Sequence, residues 1–481
     1  MSTHYRHLIG GRWGDPGEAT PNVNPSDLDD TIGHAPAADE ETVQEAIAAA
    51  ADAAPSWAAT TPEARADVLD AAAAEVRSRQ AELGGLLARE EGKPIAEARA
   101  EVGRAAHLLR FFAGEALRVG GDLVPSVRSG MTVEVTREPV GVVGVITPWN
   151  FPIAIPTWKI APALAWGNTV VFKPAENTPG MAGELVDILQ RAGLPDGALN
   201  LVYGTGSVVG RALAESPRVD ALTFTGSVGV GRGVVAQAAA AGTRVQAEMG
   251  GKNPMVVLDD ADLDLAIEAC ANGAYFSTGQ RCTASSRLIV TRGIHDRFVE
   301  GLVARMRGMR VGHALDPRTV VGPVVDARQL EQDERYLRVA AEEGGEVIGG
   351  HRVERDTRGY FLSPALVVGT DNAMRINREE IFGPVASVIE VADYDEALHV
   401  ANDTDFGLSA GICTGSLAAA KDFTRAARAG MVMVNAPTAG VDYHVPFGGM
   451  KGSSYGPKEQ GSHAREFFSF VKTAYVHPGR P

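Results

Sequence analysis

The chain of 481 residues has only three cysteines, Cys270, Cys282 and Cys413, and no CxxC spacing. That is too few for a disulfide framework and leaves no zinc ribbon or redox-disulfide motif, so free thiols in a reducing compartment are the simpler reading. Positive charge is also short: 45 Lys and Arg against 60 Asp and Glu give a formal net charge of −15. A field of that sign repels phosphate backbones and anionic lipid, so neither nucleic acid nor a membrane surface is an expected partner. The eleven histidines form no HExxH and no helical i,i+4 pair, and no metal is expected. The start, MSTHYRHLIGGRWGDPG, has no apolar stretch ahead of a small-residue cleavage site, and nothing at the C-terminus reads as an anchor, which points to the cytoplasm. One long run lacks formal charge, Pro139 to Trp158, but Pro148, Pro152 and Pro156 interrupt it. A proline inside a helix costs about 3 kcal/mol, so a buried strand followed by a loop fits better than a membrane span.

At 45% hydrophobic residues the chain can bury a sizeable core, and its length suits two to four domains of about 100–200 residues. Residues 40–118 are rich in Ala, Glu, Arg and Leu at helical spacing, with Asp39 read as an N-cap and Pro62 at a first helical position. These are expected to be solvated covering helices. The alternation in MTVEVTREPV from residue 131, and again in FFSFVKTAYV near the end, has the period of a half-exposed strand. Neither segment lies in a βα run, so both are expected to leave the main body and pair elsewhere, for instance with a neighbouring subunit. Between them the apolar runs VVGVI, TVVF, LNLVY, ALTFT and RVQAEM begin near 142, 169, 199, 221 and 244, separated by helical segments. That is the pattern of a doubly wound parallel sheet, whose ligands bind beyond the carboxyl ends of the strands. A second mixed region from Pro254 to about Gly461 has its own strands, MVVLDD, SRLIVT, SVIEVA and MVMVNA.

The residues at those strand ends carry the candidate chemistry. Strict GxGxxG and GxxxxGK[ST] loops are absent, but GTGSVVG (204–210) and TGSVGVGRG (225–233) each open a helix after a strand. Glycines there either let the backbone approach a phosphate at a helix N-terminus or are ordinary turn glycines. Glu176, in KPAE after the second strand, can accept both hydroxyls of an adenosine ribose, or simply pair with Lys173 on the surface. Cys282 sits in a polar turn, YFSTGQRCTASSR, with Arg281 and Arg287 close in sequence; it is either a nucleophile held in an electropositive setting or an incidental thiol. Cys270 and Cys413 read as packing thiols. Glu248, at a strand end before two glycines, is a general base or a solvated acid. Two GxSxG matches, at 407–411 and 452–456, lack the strand-before, helix-after context of a hydrolase elbow.

In this order, TPWNFP (147–152), KPAENTP (173–179), FTGS (224–227), EMGGKNP (248–254), GQRCT (279–283), EEIFGP (379–384) and PFGGMKGS (446–453) resemble the NAD(P)-dependent aldehyde dehydrogenase superfamily over nearly the whole chain. The resemblance implies an α/β aldehyde dehydrogenase fold: a Rossmann-like coenzyme domain over 1–118 and 139–251, an α/β catalytic domain over 252–461, and a small β oligomerisation flap over 119–138 and 462–481, assembled as a homodimer or homotetramer. It makes Cys282 the nucleophile and Glu248 the general base. The Asn150 side-chain amide and the Cys282 N–H become the oxyanion hole, with Lys159 and Asn435 in supporting positions. On the coenzyme side it places Lys173 and Glu176 at the adenosine ribose and Gly226 and Ser227 at the pyrophosphate. Glu380 and Phe382 fall at the nicotinamide ribose, with Thr147, Trp149, Gly206, Gly210 and Gly250 lining the same groove. NAD is favoured over NADP because Glu176 repels a 2′-phosphate. FSTGQRCTASSR and PTAGVDYHVPFGGMKGSSYGPKEQG look like the branch that includes α-ketoglutaric semialdehyde (2,5-dioxopentanoate) dehydrogenases. Arg281 and Phe447 are the substrate-side candidates. Arg281 either forks a distal carboxylate or faces away and only tunes or packs. Neutral aliphatic, aromatic or betaine-type aldehydes, a Cys282 hydrolase or acyltransferase, and a silent nucleotide-binding homologue are the competing readings.

Overall fold

Near-continuous apolar runs suit strands covered on both faces, and the five anticipated ones form a single sheet in the computed structural model, which describes residues 3–15, 17, 19–118 and 120–479. They are β1 (Val142–Ile146), β2 (Thr169–Lys173), β3 (Leu199–Leu201), β4 (Ala221–Thr225) and β5 (Arg244–Glu248). All pair in parallel in the order β3-β2-β1-β4-β5. Parallel neighbours need crossovers, supplied by helices such as α2 (Ala154–Ala165), after β1, and α3 (Val228–Ala240), after β4. The direction of winding reverses between β1 and β4, so a crevice opens beyond their carboxyl ends. The uncharged run 139–158 is thereby explained as β1, a proline-rich loop and the start of α2. Among the described residues no helix is long and apolar enough to cross a membrane.

A second sheet of seven strands contains the four expected runs, at Asn253–Val257, Ser285–Thr291, Val385–Val391 and Met431–Val434. It also contains Ala365–Thr370 and Ser409–Cys413 in parallel and Glu346–Gly349 as an antiparallel edge. Neither GxSxG is an elbow: Ser409 begins a strand, and Ser454 begins the strand Ser454–Tyr455 directly after a short 3₁₀ turn.

The N-terminal helices start as anticipated: Asp39 accepts a hydrogen bond from the Thr42 N–H at 2.9 Å, and Pro62 follows the capping Thr61. Their expected solvation is corrected. Leu69, Val76, Leu108 and Phe112 are fully buried, and α1 (Ile95–Ala116) also buries Glu101 and Glu115, because its second face packs on α2 and the site. The two alternating segments lie in a sheet separate from the two larger ones, and each is a partner of the other. Thr132–Pro139 and Ser469–Val476 pair antiparallel with one another, and Asp122–Pro125 adds a third strand. Leu123, Val471 and Tyr475 on this small sheet stay exposed. Met1, Val119 and Pro481, which bound the anticipated segments, lie outside the described residues.

Candidate active site

Helix Leu263–Tyr275 ends in a sharp reversal, with Ser277, Thr278 and Gly279 at φ 51°, 56° and 67°. Left-handed backbone at two non-glycine residues is strained and has to be held by its surroundings. It turns Cys282 into a cavity of about 450 Å³. The Asn253 side chain fixes the far side of the loop, donating to the carbonyls of Cys282 at 2.8 Å and Ala284 at 2.9 Å. Burial pushes the Cys282 thiol up to about 12, and the carboxylates of Glu380 and Glu248 add to that. The expected electropositive setting is therefore corrected. Arg287 lies in the sheet, bonded to the carbonyls of Lys252, Val400 and Ala401, because a strand residue five positions on faces away from the loop.

Asn150 is buried, and its Nδ2 donates to the Gln280 carbonyl at 2.9 Å, which places the amide beside the Cys282 loop. Its turn is clamped from α1. Lys93 Nζ donates to the Asn150 carbonyl and to Glu101 Oε2, both at 2.6 Å, while Glu101 Oε1 accepts the N–H groups of Ile153 and Ala154 at 3.2 and 3.3 Å. Sequence reasoning missed Lys93, since Gly92-Lys93-Pro94 looks like an ordinary turn between helices. With side chains 1% and 2% exposed, the pair is closed to solvent. Lys93→Met is expected to lower stability by about 3–5 kcal/mol by stranding the Glu101 charge. A denaturation midpoint equal to that of the parent would exclude such a clamp.

Glu248 ends β5 with Oε2 accepting from Ser454 Oγ at 2.6 Å and Oε1 buried without a partner. Burial first and Glu459 second push its carboxyl up to about 8, against the pull of Ser454, Lys458 and Lys159. Lys159 donates to Thr223 Oγ1 at 2.7 Å and pairs with Glu459, whose other oxygen accepts from Trp158 Nε1 at 2.6 Å. Glu459 was not anticipated. It sits more than two hundred residues from Glu248 in sequence, with no local signal.

At the crevice, the Thr147 N–H donates to the Lys173 carbonyl at 3.2 Å, joining the ends of β1 and β2. Lys173 is buried with Nζ on the Pro174 carbonyl at 2.8 Å, and Glu176 is exposed. Gly226 and Ser227 link β4 to α3; Ser227 makes no side-chain cap, and a Cβ on Gly229 would meet nothing within 4 Å. The first turn of α3 thus keeps donors free for an anion and room for it. Gly206 and Gly210 bound a wide helical turn after β3. Trp149 and Phe382 meet edge to face at 5.5 Å, with Phe382 at φ 68°. Glu380 accepts from the Gly251 N–H at 2.9 Å, and a Cβ on Gly250 would lie 2.0 Å from its Oε2, so a side chain there would displace the carboxylate. Burial pushes Glu380 up to about 7. Asn435 holds Thr414 through both ends of its amide. The free helix donors, the carboxylates at both ends and the glycine-lined backbone fit a dinucleotide.

Phe447 and Trp158, 5.2 Å apart, form the cavity wall with Phe151, Ile155 and Val441. Arg281 also lines it, but its Nη2 bonds the carbonyls of Asn272 and Gly273 while Nε is buried without a partner.

Residues 13–474 match the profile of the Aldehyde dehydrogenase family. The chain is 43% identical to the alpha-ketoglutaric semialdehyde dehydrogenase of Bacillus subtilis over 98% of each chain. It superposes on an NAD-dependent aldehyde dehydrogenase from Sinorhizobium meliloti with a TM-score of 0.96 at 37% identity, covering 99% of this chain and 95% of that one. An E. coli NADP dependent enzyme matches at a TM-score of 0.95 and 36% identity, covering 99% and 98%. The chain belongs to the aldehyde dehydrogenase family, and is an NAD(P)-dependent oxidoreductase acting on an aldehyde.

Proposed function

We propose that the protein oxidises a carboxylate-bearing semialdehyde, such as α-ketoglutaric semialdehyde, to the corresponding acid with NAD+. The observation that carries the chemistry is a half-buried thiol, Cys282, close to a carboxylate, Glu248, with one oxygen held and the other unpartnered. The Cys282 thiol gives up its proton to solvent through the open cavity, the resulting thiolate attacks the aldehyde carbon, and Asn150 Nδ2 with the Cys282 N–H receives the oxyanion. Neutral donors suit this task, since a stronger acid would trap the adduct. The nicotinamide, when bound, supplies the hydride acceptor that takes the thiohemiacetal to a thioester. Glu248 then removes a proton from water, which attacks the thioester carbon and returns the Cys282 thiol. Lys159 and Glu459 form the polar route behind Glu248. Thr147, Trp149, Gly206, Gly210, Gly250, Glu380 and Phe382 would hold the coenzyme together with Lys173, Glu176, Gly226 and Ser227.

The semialdehyde is supported by the Bacillus subtilis relative, while the aromatic wall around Phe447 favours a neutral aldehyde as the second reading. Residues 1–118 and 139–251 would carry the coenzyme and 252–461 the nucleophile. Segments 119–138 and 462–481 would join subunits into a homodimer or homotetramer, with the exposed Leu123, Val471 and Tyr475 covered. The free thiols suit a cytoplasmic location. The test is a panel of α-ketoglutaric semialdehyde, succinic semialdehyde, hexanal and benzaldehyde, followed by absorbance of reduced coenzyme. Activity confined to neutral aldehydes would remove the substrate assignment. Exposed Glu176 is expected to give NAD+ an advantage above about tenfold in kcat/KM, which needs only about 1.4 kcal/mol. Equal or better turnover with NADP+ refutes that.

A further inference from the structure

Two guanidinium groups line the cavity that holds Cys282. Arg281 is already bound by the protein, through carbonyls at the C-terminal turn of its preceding helix, an end that favours cations. Arg104 reaches the cavity from α1, and its only hydrogen-bond partners among the described residues are neutral. One nitrogen bonds the Val441 carbonyl and Nη2 donates to Gln460 Oε1 at 3.1 Å, with its guanidinium carbon 5.9 Å from the centre of the Trp158 ring. No carboxylate forms an ion pair with it among the described residues. Glu101, three positions earlier, is paired with Lys93, and Glu101 and Asp442 act on Arg104 only from beyond ion-pair distance. Gln460 Nε2, beside it, is buried without a partner and is a second free donor.

A half-buried guanidinium whose hydrogen bonds all go to neutral groups, in an aromatic-walled cavity, has no ion-pair partner of its own. A carboxylate carried in on the substrate supplies one, in the planar geometry that a guanidinium forks. We propose that Arg104, rather than Arg281, is the residue that reads the distal carboxylate of the substrate, an inference that rests on the semialdehyde reading above. The aldehyde end meets Cys282 while the chain lies along Phe447 and Trp158.

The experiment compares kcat/KM for α-ketoglutaric semialdehyde and for pentanal, a neutral aldehyde of the same chain length, with NAD+ in the parent, Arg104→Met, Arg104→Lys and Arg281→Gln. Parent preference for the semialdehyde tests the substrate reading by itself; no preference removes that reading and this one with it. Given the preference, Arg104→Met is expected to lower the semialdehyde-to-pentanal ratio about 10- to 100-fold, mostly through KM, as for loss of a charge-assisted hydrogen bond. Competitive inhibition by glutarate should weaken by a similar factor, a change that a purely structural role would not direct at anions. A ratio unchanged in Arg104→Met, or a loss that falls on Arg281→Gln instead, overturns the assignment while leaving the substrate reading intact. Should Arg104→Met not fold, glutarate inhibition of Arg104→Lys decides: weaker inhibition supports the forked contact, and unchanged inhibition overturns it.

Discussion

With Cys282 replaced by Ala, coenzyme reduction is expected to fall about 10⁴-fold or more on every aldehyde, since the covalent route has no other entrance. The chain offers no substitute thiol. Cys270 and Cys413 are buried in the second sheet and its covering helix, and burial pushes the first well up and the second to about 12. Cys282 is also pushed up to about 12, but it opens onto the cavity, where substrate and coenzyme bring new polar groups. Exposure therefore separates the three thiols more clearly than their acidity does. An alkylating reagent applied to the native protein should modify one thiol in the parent and none in Cys282→Ala. Residual activity within about a hundredfold of the parent, well short of what loss of a nucleophile gives, would mean that the aldehyde is not oxidised through this sulfur. Comparable labelling of Cys270 or Cys413 would mean that the second sheet opens far more easily than its burial implies.

What could be read from the sequence follows from how local each signal is. The five parallel strands of the first sheet were legible because a parallel strand covered on both faces must be apolar along its whole length. Asp39 and Pro62 were legible because a cap is a contact over three or four residues. Ser409–Cys413 was not, since SAGIC is small and glycine-containing and looks like a turn; its buried place between two strands leaves no room for larger side chains. The pairing of Thr132–Pro139 with Ser469–Val476 spans more than three hundred residues, so alternation disclosed two strands but not that they were partners. Within the site, Cys282, Glu248 and Asn150 stood out through motifs. Lys93, Arg104 and Glu459 did not, because each matters only for what the fold brings beside it. Arg287 does not make the setting of Cys282 electropositive for the same reason: it is near Cys282 along the chain and directed elsewhere in space.

If Glu248 is the base proposed above, Glu248→Gln is expected to separate the two halves of the reaction. The amide keeps the shape of the carboxylate and can still meet Ser454 Oγ, but it cannot take a proton from water. Steady-state turnover is expected to fall about 10²- to 10⁴-fold, the usual worth of a general base. The first turnover should survive as a burst of reduced coenzyme, close to one per site, because formation of the thioester does not need this base. Absence of a burst would place Glu248 before hydride loss, as the base that activates Cys282. The pH profile provides an independent check. Glu248 is pushed up to about 8, chiefly by burial and then by Glu459, and in the proposed role of general base it would act only when unprotonated. Parent kcat should therefore climb with pH through about 8 and drop on the acid side. In Glu248→Gln that acid limb should vanish. Stability should move the opposite way, because a buried carboxyl with a raised pKa favours the folded state in its neutral form. That contribution is full below the ordinary glutamate value and fades as pH rises towards about 8. The glutamine variant, which never carries the charge, should then gain in thermal stability over the parent as the medium becomes alkaline. A parent no less stable than Glu248→Gln above that pH would mean that the carboxylate is already compensated in the resting enzyme, through Lys159 or Lys458.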